Sequence, residues 1–412
     1  MGNIIDYAHT ETRAFGPTDA ETRAFGAVDA LVLAALSYQK MPGIVPTLDD
    51  VEHRYRTVWR RLALFSPRHP LASLRDVVRA PFDGPTLTEI ADHLYPADFS
   101  VKTGHAGLGD PRLTERLYTG VAASPRFGPI RVAAYEERFS ELTQTQFAAV
   151  TMLIPMAHGD GHAADPDEPA PTLAIAFRGT DDSFVGWKED FNMAFQYPIP
   201  AQRAAADYVT RVARIWRGPI VLLGHSKGGN LAVYAAMNVD TRIRRRIVRA
   251  YSLDGPGFPR DVVAGSAAIE SMPPVEKIVP DSSIVGMILE TPEPCIVVRS
   301  DQKGIMQHLS YSWQIGDDGE FERAPGLKSG SQYFNKALND WLTGLTYEQR
   351  ERAVDALFRL LDSTGANSLS SMLPALPKSI PDMVNSFVGL SDEDRRNLLA
   401  FVNLLVRAML MR

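Results

Sequence analysis

Residues 219–230, PIVLLGHSKGGN, restrict the fold of this chain more than any other stretch. Residues 220–224 form a short apolar run that reads as a buried strand, and a helical pattern begins directly after the serine. A strand that turns at once into a helix crowds its own backbone. Residues without a side chain are therefore needed two before and two after the corner, where Gly224 and Gly228 stand. The turn lifts Ser226 Oγ to the rim of the sheet. Behind it, Leu231, Ala232, Ala235 and Ala236 form a small-residue face that can lie close on a sheet, and the first N–H groups of that helix aim back at the hydroxyl. A bare G-x-S-x-G also occurs as a phosphate cradle or a plain corner. Here strand, turn and helix stand in the required order, so Ser226 is read as a nucleophile.

At 412 residues the chain exceeds the roughly 250–300 that one core organises. The expected organisation is a helical N-terminal region over 1–125 packed on the core, a catalytic α/β core over 126–330, and a C-terminal helical extension over 331–412. A net charge of −6 leaves no electrostatic footprint for nucleic acid. The five arginines of residues 242–249 read as a solvated helix end rather than an anion-binding patch. Cys295 is the sole cysteine, which excludes an intrachain disulfide and a cysteine zinc site. No apolar run reaches the roughly 18 residues of a membrane span, and the first residues lack a secretory pattern, so a cytoplasmic protein is expected.

Along the N-terminal region, ETRAFG occurs at 11–16 and again at 21–26, too short a repeat for a solenoid. Asp29 begins an apolar helix, Asp49, Asp50 and Glu52 open a charged helix through Arg61, and residues 96–111, rich in Gly and Pro, read as loop. Strands follow at 130–135, 147–155 and 172–177. Between the last two, His158, Asp160 and His162 sit among Pro, Ala and acidic residues, a solvated excursion rather than a metal loop. Further strands at 250–253, 275–279 and 295–299 each run into a turn. Strands and helices in this alternation predict a mostly parallel sheet with its site at the carboxyl ends.

Acyl transfer needs backbone donors for an oxyanion, one from the residue after the nucleophile and one from a loop after an earlier strand. Lys227 and Thr180 occupy those positions. A histidine must follow the serine in chain order, and His308 is the only one that does. The acid that holds its imidazole belongs on a turn past a strand end. Asp281 and Asp254 both qualify. Asp281 is preferred because Asp254 lies in DGPG, where an aspartate commonly serves its own turn.

The segments AFRGTDDSFVGWKEDF, GHSKGGNLAVYAA, YSLDGPGF, SSIVGMIL and QHLSYSW together resemble the bacterial Mbeg-like hydrolases, relatives of the class 3 (fungal-type) lipases. The resemblance runs from VDALVLAALSY near residue 28 to NKALNDWL near residue 335. It implies an α/β-hydrolase fold with Ser226 as nucleophile, His308 as base and Thr180 with Lys227 at the oxyanion hole. Relatives need not carry Asp at the Asp281 position, so Asp254 stays open. Serine hydrolase chemistry is implied more firmly than a lipid substrate.

Beyond residue 330 the pattern is helical. Thr346 and Gln349 form a capping box ahead of Val354, Leu357, Phe358 and Leu361 on one face, and Ser391 with Asp394 opens a second helix carrying Leu398, Phe401, Val402, Leu405 and Met409. Pro374, Pro377 and Pro381 are expected to separate the two. These faces read as cover for the core or for each other, with a lid or lipid-surface helix as the sharper alternative. The function expected is hydrolysis of a small-molecule acyl ester or lipid through an acyl-serine, with no metal or organic cofactor. The alternatives are a non-catalytic binding protein on the same fold, or a thioesterase or peptidase.

Overall fold

The computed structural model describes residues 2–410 apart from 96–109, 156–170, 266–271 and most of 64–83. The loop with His158, Asp160 and His162 lies outside the described residues. Near the N-terminus the two ETRAFG copies form a parallel two-stranded ribbon, β1 (Ala14–Phe15) on β2 (Thr22–Arg23). The main sheet has seven strands in the order β3 (Arg131–Ser140), β4 (Thr145–Ile154), β5 (Thr172–Phe177), β6 (Ile220–His225), β7 (Ile247–Leu253), β8 (Val275–Pro280) and β9 (Cys295–Val298). β3 and β4 form an antiparallel hairpin and β4 pairs antiparallel with β5; from β5 to β9 every pairing is parallel.

This order never reverses. Crossovers of one hand that always step in the same direction place their helices on the same face of the sheet. The helices Pro200–Ile215 and Lys227–Asn238 accordingly share one face, where Tyr208, Val209 and Val212 meet Leu231, Ala232, Ala235 and Ala236 over Leu173, Ile175, Ile220 and Leu222. The period of two along each strand sends Ala174, Ala176, Val221 and Leu223 to the opposite face. That face is covered by N-terminal helices, Ile4–Thr10, Ala27–Leu36, Leu87–Leu94 and Pro111–Ala123. Ala27–Leu36 is buried all round from Val28 onward, as its nearly continuous apolar sequence requires. Asp29 is buried within it, and the Arg126 guanidinium closes on its carboxylate at 2.9 and 2.7 Å while also donating to backbone carbonyls.

Four expectations are corrected. The charged helix expected through Arg61 stops at Tyr55, and a new one, Val58–Ala63, starts because the Thr57 hydroxyl accepts the Arg60 N–H. Pro111, read as loop, is the first residue of Pro111–Ala123: Asp110 caps it, and proline at that position gives up an N–H that has no helical partner. Pro374, Pro377 and Pro381 lie inside a helix, Leu369–Val388. Their spacing puts all three on one side, so the missing N–H groups fall on one edge and the rest of the helix stays bonded and packed. The arginines of 242–249 are not merely solvated. Arg244 collects the carbonyls of Ala236, Met237 and Val239 at one helix end, and Arg246 those of Ala213, Trp216 and Gly218 at another.

Beyond the sheet, Ser329–Thr343, Tyr347–Asp362 and Asp392–Leu410 follow, with the Thr346 capping box in place. Val354 and Phe358 are buried against Phe184, Leu398 against Ala356 and Leu390, and Phe401 stacks on Trp341. Val354, Phe358, Leu398 and Phe401 thus cover the core and one another, whereas Val402 stands 41% exposed. No helix among the described residues is long and apolar enough to cross a membrane.

Candidate active site

β6 delivers Ser226 at its carboxyl end. The residue has φ 59° and ψ −134°, outside every region a side-chain-bearing residue adopts freely, and is 8% exposed. Its N–H is held by Leu253 O at 2.9 Å. The two glycines are obligatory: a Cβ on Gly224 would stand 2.2 Å from the Gly228 carbonyl carbon, and one on Gly228 would stand 2.1 Å from Phe177 O.

His308 ends a short 3-10 turn, Gly304–His308, and its Nδ1 lies 2.6 Å from Asp254 Oδ2. Asp254 follows β7 with φ 51° and is completely buried. Burial alone would lift its carboxyl, but the bonds from His308 and Ser283 outweigh this and hold it below the usual carboxylate range. A carboxylate only accepts, so the His308 proton sits on Nδ1 and the Nε2 lone pair is free to take another.

The preference for Asp281 is thereby corrected. Its Oδ1 accepts from Gln307 Nε2 at 2.9 Å and pairs with Lys328 Nζ at 2.9 Å, and it does not meet His308. β7 lies directly beside β6, whereas β8, which leads to Asp281, is one strand farther away. Nor does Asp254 spend its carboxylate on its own turn: it bonds Ser283, the Gly286 N–H and His308 across the chain. Asp281 acts one residue away from His308, on Gln307.

His225 links the serine strand to His308. Its Nε2 lies 2.7 Å from His308 O, and its ring centroid is 4.6 Å from that of His308. Because that carbonyl only accepts, Nε2 carries the hydrogen, and Nδ1 accepts from the Tyr38 hydroxyl at 3.0 Å. Burial, reinforced by the neighbouring His308 ring, pushes His225 down to about 3. The group therefore stays neutral when folded, and the unfolded chain binds the extra proton below the ordinary value of 6.5. Stability from this group is complete above that pH and declines as the pH falls toward 3, by up to about 1.4 kcal/mol per unit. Denaturant unfolding at stepped pH should show this acid slope, and His225→Gln should flatten it. An unchanged slope in the variant assigns the acid lability elsewhere.

Thr180 and Lys227 flank the same corner. β5 and β6 pair with Phe177 beside Gly224, so residues 178–182 run alongside the serine turn. The Thr180 hydroxyl donates to Asp190 Oδ2. The Lys227 side chain is wholly buried: Nζ donates to Gln146 O at 3.0 Å, Gln146 Oε1 at 2.7 Å and Glu189 Oε2 at 3.0 Å, with Asp190 Oδ1 at 3.5 Å. Burial opposes the ammonium charge, and the carboxylates of Glu189 and Asp190 outweigh it, so Lys227 titrates above the ordinary lysine value. One ion cluster thus joins the residue after the serine to Thr180. Sequence reasoning missed the pairing of Lys227 with Glu189 and Asp190. The available signal was Lys227 itself, a cation in a small-residue helix that has to lie against a sheet.

A cleft of ≈ 660 Å³ opens beside this loop, bordered by Asp181, Ser183, Lys188 and, from the C-terminal region, Phe358 and Asn367. The two sides are pinned by the Phe184 N–H to Asn367 O bond at 3.0 Å. Among the described residues no group of three or more His, Cys, Asp or Glu is placed to hold a metal ion. The family model described as Mbeg1-like matches residues 121–359, more than half of the chain. No curated protein and no solved structure matches the chain.

Proposed function

This chain belongs to the Mbeg1-like family, and from that premise we propose that it is a serine hydrolase of α/β-hydrolase type, akin to lipases, which cleaves carboxylic esters. The reading is carried by one observation: a fully buried Asp254 carboxylate 2.6 Å from His308 Nδ1, on a turn held against the strand that presents Ser226 in a strained corner. Ser226 Oγ attacks the ester carbonyl as His308 Nε2 takes its proton. Asp254 fixes the tautomer and stabilises the imidazolium. The backbone N–H groups of Lys227 and Thr180 receive the oxyanion. Collapse expels the alcohol, protonated by His308, and water then frees the acid from acyl-Ser226 by the same route in reverse. Neither a metal nor an organic cofactor enters these steps.

The test is covalent labelling by a fluorophosphonate together with turnover of soluble p-nitrophenyl esters. The native protein is expected to label and turn over, and Ser226→Ala and His308→Ala to do neither. A folded native protein that neither labels nor hydrolyses any ester overturns the reading.

A further inference from the structure

The helix Val58–Ala63 buries none of its residues. A single six-residue turn is far below the length at which a helix is stable by itself in water, and this one gains nothing from the core. Yet its sequence is apolar along one side. Val58 is 51% exposed, Trp59 82% and Leu62 40%, with Phe65 just beyond at 38%. At 100° per residue Val58, Trp59 and Leu62 span one side, and Arg60 and Arg61 take the other. Arg54, Arg56 and Arg60 are exposed, and no carboxylate among the described residues lies within ion-pair distance of them. The acidic residues at the start of the preceding helix are already engaged, Asp49 and Glu52 by Arg211 and Asp50 by the Thr47 cap. Arg54, Arg60 and His53 also line a shallow cleft of ≈ 520 Å³ together with Ile44. On a chain of net charge −6 this is a local cationic rim around an exposed tryptophan.

We infer that this face docks on an anionic phospholipid surface, with Trp59, Val58 and Leu62 entering the boundary between headgroups and acyl chains and Arg54 and Arg56 meeting the phosphates, while Arg60, on the far side of the helix, donates to His53 O at 2.7 Å. Tryptophan is suited to that boundary because its ring is apolar and its N–H polar. Arginine is suited to phosphate because its planar fork donates two parallel bonds. Charge complementarity singles out a lipid surface over a second copy of this chain, which would bring the same cations face to face. The inference does not depend on the hydrolase reading. It differs in place from the sequence expectation of a C-terminal lipid helix, and its rival is the exposed apolar stripe Ile380, Val384 and Val388 on Leu369–Val388, which has no arginine or lysine rim of comparable size among the described residues.

The experiment is sedimentation of the full chain with vesicles of phosphatidylcholine, alone or mixed with an equal part of phosphatidylserine, at low and high salt. Binding is expected only to the mixed vesicles and is weakened by salt. Arg54→Gln and Arg56→Gln together should weaken it about 30-fold. Trp59→Ala should weaken it and remove most of the blue shift and brominated-lipid quenching of tryptophan emission, because Trp216 and Trp313 are buried and Trp187 and Trp341 are partly buried against the C-terminal helices. Turnover of a soluble ester, or thermal unfolding if no ester is cleaved, reports that the variants are folded. Three outcomes overturn the inference: no binding to mixed vesicles, binding that survives the variants but is lost in Ile380→Ser with Val384→Ser, or a Trp59-dependent dimer without lipid.

Discussion

Asparagine in place of Asp254 is expected to lower kcat for a soluble ester by about 10⁴-fold, as removal of the tautomer-fixing carboxylate does in a serine–histidine–acid system. The asparagine amide would be isosteric with the carboxylate, but its NH₂ group cannot accept from His308 Nδ1–H. If the carbonyl oxygen of that amide faces Ser283 instead, His308 turns its hydrogen toward the serine and loses the lone pair that must take the proton. Asp281→Asn is expected to leave kcat within about tenfold, because Asp281 acts on Gln307 and Lys328 and reaches the base only through the backbone. The two variants should be compared at equal thermal stability, read by circular dichroism. Loss of turnover in Asp281→Asn with retention in Asp254→Asn would reverse the assignment drawn from the 2.6 Å contact.

Lys227→Met should destabilise the protein by about 3–5 kcal/mol, the cost of leaving buried carboxylates without their cation. Both side chains of the Lys227–Glu189 pair are wholly shielded from solvent. Glu189 is otherwise satisfied by the N–H groups of Gln146 and Ala201, so the ammonium is the group whose removal leaves charge uncompensated. Burial pushes Asp190 up to about 6 even with Lys227 beside it, and without the lysine it should titrate higher still. Urea unfolding near neutral pH measures the loss, and Glu189→Gln in the Lys227→Met background should recover part of it. A cost below about 1 kcal/mol for Lys227→Met would mean that the cluster holds no uncompensated charge.

Much of the sheet was legible because its strands are short, apolar and bounded by Gly and Pro. The run TLAIAF matches β5 end to end, and the spacing of Gly224, Ser226 and Gly228 foretold a corner that the Cβ distances then require. The aspartate that meets His308 was misjudged for a physical reason. A local reading of DGPG weighs an aspartate against its own turn, whereas Asp254 is committed to Ser283, Gly286 and His308, which lie 29 to 54 residues away. Likewise the bond between Tyr38 and His225 spans 187 residues and has no spacing to betray it. The prolines of Leu369–Val388 were read as the break between two helices, when their shared face is what lets a helix continue there.

The one-directional strand order has a practical consequence for anyone trimming this protein. With every crossover helix spent on one side, the sheet owns nothing of its own to shield Ala174, Ala176, Val221 and Leu223, and the cover comes from Ile4–Thr10, Ala27–Leu36 and Leu87–Leu94. A fragment cut to the family-matched residues 121–359 keeps Ser226, Asp254 and His308 but arrives with a bare apolar wall across its sheet. Such a fragment should precipitate or recruit chaperones however intact its chemistry, so the N-terminal helices are the cover that the rest of the sheet requires.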